Sequence, residues 1–122
     1  MIDRVIDMRG DEHAVGIKNV TSDEVFLGRF PNKTPIMPGA LTIEGMAQTI
    51  AVLGLRNVRS RSLFLVTIDK AKFREPAVPG DTLEYHVDKI LRRSNIGRYR
   101  AEAKVGRKLI TEAEVGLYVG SQ

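Results

Sequence analysis

The stretch from Gly39 to about Leu55 (GALTIEGMAQTIAVLGL) is the one segment of this chain that reads as a long helix, and it is apolar on most of its sides. Its carboxylate, Glu44, and its carboxamide, Gln48, stand among small and apolar neighbours. A helix of that kind is buried rather than laid amphipathically on a surface. At 1.5 Å per residue it is ~25 Å long. Something must cover it, and the rest of the chain supplies strands. Met1–Met8 and His13–Val20 read as a hairpin about the turn Arg9-Gly10-Asp11-Glu12. Thr21 and Glu24 stand in capping-box spacing and predict one short helical turn. After the helix, Ser62–Phe73 carries Leu63, Leu65, Val66 and Ile68. Thr82–Arg93, introduced by Pro79-Gly80-Asp81, carries Leu83, Tyr85, Val87, Ile90 and Leu91. Gly97–Val105 alternates as Tyr99, Ala101, Ala103 and Val105, and Leu109–Val119 follows the turn Gly106-Arg107. One buried helix with five or six mostly antiparallel strands is an α+β domain, and a curved sheet wrapped around the helix buries it most economically. The 122 residues suffice for a core, and 1–122 carries no repeat, low-complexity tract or linker that would divide a single domain.

The entry into the helix is also constrained. In Gly28-Arg29-Phe30-Pro31-Asn32-Lys33-Thr34-Pro35-Ile36-Met37-Pro38-Gly39 stand three of the five prolines of the chain. Proline fixes φ and biases the preceding residue toward extended backbone, so the loop is held in one shape at little entropic cost. Pro38-Gly39-Ala40 offers no side chain to cap the free amides of the first helical turn. Either water and loop carbonyls satisfy those amides, or they and the helix dipole polarise a substrate carbonyl, with Gly39 letting a ligand approach the backbone. Glu44 and Gln48, four apart, share a face, with Leu41, Gly45, Ala51 and Val52 near it. A carboxylate in that setting is expected to be partly desolvated, which favours its neutral form, raises its pKa and suits it to general acid–base work. The plainer alternative is that Gln48 or a loop amide simply donates a hydrogen bond to Glu44.

Composition excludes several classes. The chain is 43% hydrophobic and 28% charged, and no apolar run approaches the ~20 residues of a membrane span. It has no cysteine, hence no disulfide and no thiolate zinc site, and Met1-Ile2-Asp3-Arg4 lacks the basic-then-apolar layout of a secretory signal; both fit a cytoplasmic protein. The net charge is +4, and the cations are clumped: Arg56, Arg59 and Arg61; Lys70, Lys72 and Arg74; Arg92, Arg93, Arg98 and Arg100. Such clumps are either solvated surface or a face for an acidic partner or a phosphate. Nucleic acid is not expected, because only 6% of residues are aromatic and no Trp is present for base stacking. His13 and His86 fall on predicted strands, with no loop to bring them to Glu44, and read as surface residues.

Four segments, taken in order, carry a resemblance: Ile17-Lys18-Asn19-Val20-Thr21, Pro35 through Gln48, Ile68-Asp69-Lys70-Ala71-Lys72-Phe73-Arg74, and Pro76-Ala77-Val78-Pro79-Gly80-Asp81. Over nearly the whole chain they resemble the β-hydroxyacyl-acyl-carrier-protein dehydratases of fatty acid synthesis, the FabZ type of the hotdog fold. The resemblance implies a long helix wrapped by an antiparallel sheet, a homodimer with two active sites at its interface, and often a trimer of dimers. It implies an acyl chain in a tunnel along that interface and a phosphopantetheine arm reaching in from an acyl carrier protein or coenzyme A, with no metal and no redox cofactor. Acyl carrier proteins are strongly acidic, which gives Lys70, Lys72, Arg74 and Arg56 a partner. The family uses a His–Phe–Pro loop and a helix Glu to handle the proton removed from C2 and the hydroxyl lost from C3, while the Gly at the helix start gives its N–H to the thioester carbonyl. Residue by residue, Phe30, Pro31, Gly39, Glu44 and Gln48 match, and Pro38 precedes the Gly; the His position is Arg29. Asn32-Lys33-Thr34 also puts three residues between two prolines where the family usually has two.

Arginine cannot act as a base, because its pKa stays above ~12 in proteins. Three functions are therefore compatible with these residues. One is a lyase, a dehydratase or hydratase of 3-hydroxyacyl thioesters, in which Glu44 works without the His and Arg29 binds the departing hydroxide, the carbonyl oxygen or a substrate carboxylate. Another is an inactive acyl-thioester-binding subunit in a heteromer with a paralogue that supplies the His. The third is a thioesterase in which Glu44 and the helix-start amides suffice.

Overall fold

Alternating apolar side chains in the second half of the chain build the floor on which the helix rests. The computed structural model describes residues 2–21, 28–29, 35–36, 39–54, 61–93 and 95–121. Its elements are β1 (Arg4–Arg9), β2 (His13–Asn19), β3 (Gly28–Arg29), β4 (Pro35–Ile36), α1 (Gly39–Gly54), β5 (Arg61–Phe73), β6 (Thr82–Arg93), β7 (Ile96–Val105) and β8 (Lys108–Ser121). β6 buries Leu83, Tyr85 and Val87; β7 buries Tyr99, Ala101 and Ala103; β8 buries Thr111, Ala113, Val115 and Leu117. The residues between them carry the charge, as a period of two requires when one face is packed and the other wet. Six strands form one antiparallel sheet in the order β1-β2-β6-β7-β8-β5. Its centre is made shallow by small residues: Val87 faces Ala101, and Ala101 faces Ala113.

The helix fills that shallow centre. Thr42, Ile43, Met46, Thr49, Ile50 and Leu53 are buried against the sheet, and each of the large apolar ones contributes about 1.5–3 kcal/mol by leaving water. Two tyrosines rise from the floor to meet it. The ring of Tyr85 occupies the space that a side chain at Gly45 would need, and the hydroxyl of Tyr99 lies close to Gly54. Gly45 is therefore what lets the helix sit down on a fully buried aromatic ring. At the far end Arg92 Nη1 donates to the Gly54 carbonyl at 3.0 Å, so one of the clumped cations caps the helix C-terminus rather than facing a partner.

The expectation of a helix buried on most sides is corrected. Glu44 and Val52 are exposed, and Leu41, Ala47, Gln48 and Ala51 are half-buried. The reason is geometric: a single sheet covers one side of a helix, and the apolar composition of the opposite side is left open. The same asymmetry marks the sheet edges. β1 is short, carries a bulge between Ile6 and Arg9 with Asp7 at φ 49°, and bears Arg4, Asp7 and Arg9; short, bulged, charged edges resist pairing. β5, at the other edge, is 13 residues long.

Two details of the sequence reading change. The proline loop contains a small ladder, with Gly28 opposite Ile36 and Arg29 opposite Pro35. The turn predicted at Thr21–Glu24 lies, beyond Thr21, outside the described residues, as does Leu55.

Candidate active site

Three of the predicted site residues sit on one helix and are brought together by its geometry alone. Gly39 opens α1, whose first turn carries no acidic side chain, so its free amides face no intrahelical acceptor. Glu44 lies five residues on, about 7.5 Å along the axis, and Gln48 follows one turn later. Gln48 Oε1 accepts a hydrogen bond from the backbone N–H of Ile2 at 3.1 Å. This contact fixes the carboxamide to the segment before β1, while Glu44 is exposed and has no hydrogen-bond or ion-pair partner among the described residues. The partial burial expected for Glu44 is not supplied by its own chain, because the sheet lies on the opposite side of the helix.

Arg29 lies on β3, at the ladder pair with Pro35. Phe30, Pro31, Pro38 and Arg56 fall outside the described residues. A residue that the sequence reading passed over lies at the helix start. The ring of Phe73, at the end of β5, fills the space beside Gly39: a Cβ there would stand 2.6 Å from Phe73 Cε1 and 2.7 Å from Cδ1. Simple alternation along β5 would turn Phe73 away from the side of Ile68; the bulge between Asp69 and Lys72, with Lys70 at φ 55°, brings it opposite buried Thr111 on the helix-facing side.

The basic clump on β5 resolves into paired and unpaired cations. Lys70 Nζ lies 2.8 Å from Glu114 Oε2, and Arg74 Nη2 lies 3.1 Å from Glu112 Oε2. Arg98 Nη2 joins the first pair at 3.9 Å from Glu114 Oε1 and 3.5 Å from Asp69 Oδ2. The hydrogen bond from Lys70 holds the Glu114 carboxyl below its ordinary range, with Arg98 and Arg100 adding to the effect. Lys72 is exposed and forms no ion pair with the described residues. Of the three described cations assigned to a carrier, Lys70, Lys72 and Arg74, Lys72 is thus the one not paired with a β8 carboxylate.

The histidines are corrected as well. They are not simply surface groups: their side chains are 17% and 27% exposed. His13 Nδ1 lies 2.6 Å from Asp88 Oδ1, His86 Nε2 lies 2.9 Å from Glu84 Oε1, and the two rings are 6.2 Å apart. Arg9 holds the Asp7 carboxyl below its ordinary range through a hydrogen bond, with smaller help from His13 and His86. All of this occupies the face of the sheet away from α1, since Gly16, on the alternate register of β2, is the residue that meets Thr49 of the helix. The histidines cannot replace the missing one at Arg29. Among the described residues no group of three His, Asp or Glu is arranged to hold a metal ion, and no helix is long and apolar enough to cross a membrane.

Comparison with known proteins agrees with this fold. The family model of the FabA-like domain matches residues 1–114. A protein named 3-hydroxyacyl-[acyl-carrier-protein] dehydratase FabZ from Rhodopseudomonas palustris (strain BisB18) is 47% identical over 121 residues, covering 95% of this chain and 80% of that protein. The protein of the same name from Sinorhizobium fredii (strain NBRC 101917 / NGR234) is 46% identical over 125 residues, covering 100% of this chain and 80% of the relative. A solved dehydratase heterocomplex, ApeI:P from Xenorhabdus doucetiae, superposes with a TM-score of 0.75 at 20% identity, over 99% of this chain and 83% of that one; at that identity it speaks for the fold, which is the hotdog. With the helix and the sheet order in agreement, the chain belongs to the FabA-like family of hotdog proteins, among relatives named 3-hydroxyacyl-[acyl-carrier-protein] dehydratase FabZ.

Proposed function

We propose that the chain acts on 3-hydroxyacyl thioesters as a FabZ-like dehydratase/hydratase of fatty acid or related acyl synthesis, with Glu44 as its proton-transfer group. The observation that carries this reading is an exposed carboxylate at Glu44, without a hydrogen-bond or ion-pair partner among the described residues, on the same helix whose leading amides, from Gly39 on, have no acceptor within the helix. The Gly39 amide receives the thioester carbonyl, which stabilises the charge that develops there when the C2 proton leaves. Glu44 accepts that proton and returns it to the C3 hydroxyl, which departs as water. Arg29 has only donors to offer, so its place is at an oxygen, the leaving hydroxyl or the carbonyl, and not at the proton. No metal or redox cofactor enters these steps; the acyl group comes on phosphopantetheine. The long β5 edge is paired in a dimer formed through β5, since an unpaired edge of that length invites strand pairing.

Arg29 itself favours a second reading, a binding subunit beside a His-bearing paralogue, because the family's base is replaced by a fixed cation. One assay separates the readings. Purified protein is incubated with crotonyl and 3-hydroxybutyryl pantetheine thioesters while enoyl absorbance and free thiol are followed. A change in enoyl absorbance without thiol is the expected result. Thiol release marks a hydrolase, and no change in either marks the binder.

The carrier contact has its own expected outcome. Docking of an acidic carrier is electrostatic and weakens with salt over a Debye length of ~8–10 Å. Lys72→Glu weakens carrier-protein binding more than Arg74→Glu does, because Arg74 is already paired with Glu112, and neither alters binding of a small pantetheine thioester. Carrier affinity that is flat across a salt series, or equal in the two variants, counts against this surface.

A further inference from the structure

We propose that Phe73 is a specificity-determining residue: its ring forms the wall of the thioester site beside Gly39 and excludes acyl groups branched at C2. This rests on the reading that the Gly39 amide receives the thioester carbonyl. Three observations support it. The ring fills the volume that any side chain at position 39 would occupy, so it lies directly against the start of α1. Its Cα is fixed on both sides: Lys72 and Phe73 are in register with Glu112 and Thr111, and the Arg74 N–H donates to the Ile110 carbonyl at 2.8 Å. Yet 57% of Phe73 is exposed, although it lies on the helix-facing side of the sheet. Ile68, on the same side of the same strand, is 45% exposed. An apolar ring held in place and left uncovered at the helix start is a surface for a ligand's carbon atoms.

The chemistry says which atoms those are. With the carbonyl oxygen on the Gly39 amide, the carbonyl carbon and C2 are the first acyl carbons beside the wall, whichever way the rest of the chain runs. A hydrogen at C2 fits against an aromatic ring, and a methyl at C2 meets it. Packing of one methyl group against a fixed wall discriminates by ~10–200-fold.

The test compares crotonyl pantetheine with its 2-methyl analogue, tigloyl pantetheine, in hydration by wild type, Phe73→Leu, Phe73→Ala and Phe73→Tyr, each checked for mass by light scattering and for thermal midpoint. The expected result is a wild-type preference in kcat/KM for the unbranched thioester of ~10–200-fold. Phe73→Tyr retains it, and Phe73→Leu and then Phe73→Ala reduce it, chiefly by raising the rate on the branched substrate. A ratio that is unchanged in Phe73→Ala and Phe73→Leu overturns the proposal. So does an equal fall on both substrates with altered mass or midpoint, which marks a purely structural ring. The proposal and the lyase reading fail separately: if wild type turns over neither thioester, calorimetric binding of butanoyl and 2-methylbutanoyl pantetheine reads the same preference and its loss in Phe73→Ala. Equal binding of the two by wild type again overturns it.

Discussion

Arg29→His raises the hydration of crotonyl thioester above wild type by about 10²-fold or more, toward the level of a His-bearing relative. General acid–base steps are worth ~10²–10⁴-fold each, and wild type lacks one partner of the pair that the family uses. A guanidinium remains charged throughout the working pH range and cannot take a proton from C2 or from a water molecule. The restoration is expected to be partial. The β3–β4 ladder pins the backbone at Arg29 and Pro35, and Asn32-Lys33-Thr34 adds one residue to the span that the family uses between prolines. An imidazole displaced by an ångström loses ~10²-fold on its own. Deleting Thr34 in the Arg29→His protein is therefore expected to increase the rate further. The series is wild type, Arg29→His, and Arg29→His with Thr34 deleted, read by enoyl absorbance at saturating thioester. A fully active wild type whose activity disappears in Arg29→His makes Arg29 a working group of the site and reverses the argument.

The parts of the molecule that were legible from the residues are those set by local periodicity. Thr82–Arg93 is found with the bounds that its alternation predicts, because Leu83, Tyr85 and Val87 need only a period of two to share a face. The helix predicted at 39–55 is found at Gly39–Gly54, and Gly39, Glu44 and Gln48 could be placed relative to one another because a helix fixes their spacing. What escaped was whatever depends on partners far along the chain. Apolar composition says that the helix will be covered but not from which side, so the exposure of Glu44 was missed. Lys70 and Arg74 looked like free cations because Glu114 and Glu112 arrive on β8, some forty residues later. The His13–Asp88 contact joins residues 75 apart. Phe73 read as the end of a strand, and its meeting with Gly39 depends on how the β5 edge passes the helix start. The Arg29–Pro35 ladder was invisible because a two-residue strand has no period and its partner is a proline.

Glu44→Gln is expected to remove the remaining turnover of the wild type and to reduce that of Arg29→His by ~10²–10⁴-fold, while leaving the fold untouched. The two halves of that expectation have different physical bases. Glu44 is exposed on the face of α1 that the sheet does not cover, and surface substitutions away from packed or bonded features alter stability by ±0.5 kcal/mol or less, so the denaturation midpoint is expected to stay where it is. The carboxamide keeps the shape and the hydrogen-bonding reach of the carboxylate and loses only the ability to accept and return a proton. A large loss of rate with an unchanged midpoint and an unchanged affinity for butanoyl pantetheine then assigns Glu44 to the chemistry and not to binding. The variant also separates the functions that share this carboxylate. If wild type releases thiol and Glu44→Gln does not, the same residue serves a hydrolase. Retention of the enoyl rate in Glu44→Gln removes Glu44 from the reaction. In that case Gln48 cannot inherit the role: a carboxamide takes up no proton at working pH, and its Oε1 is already engaged by the Ile2 amide at 3.1 Å.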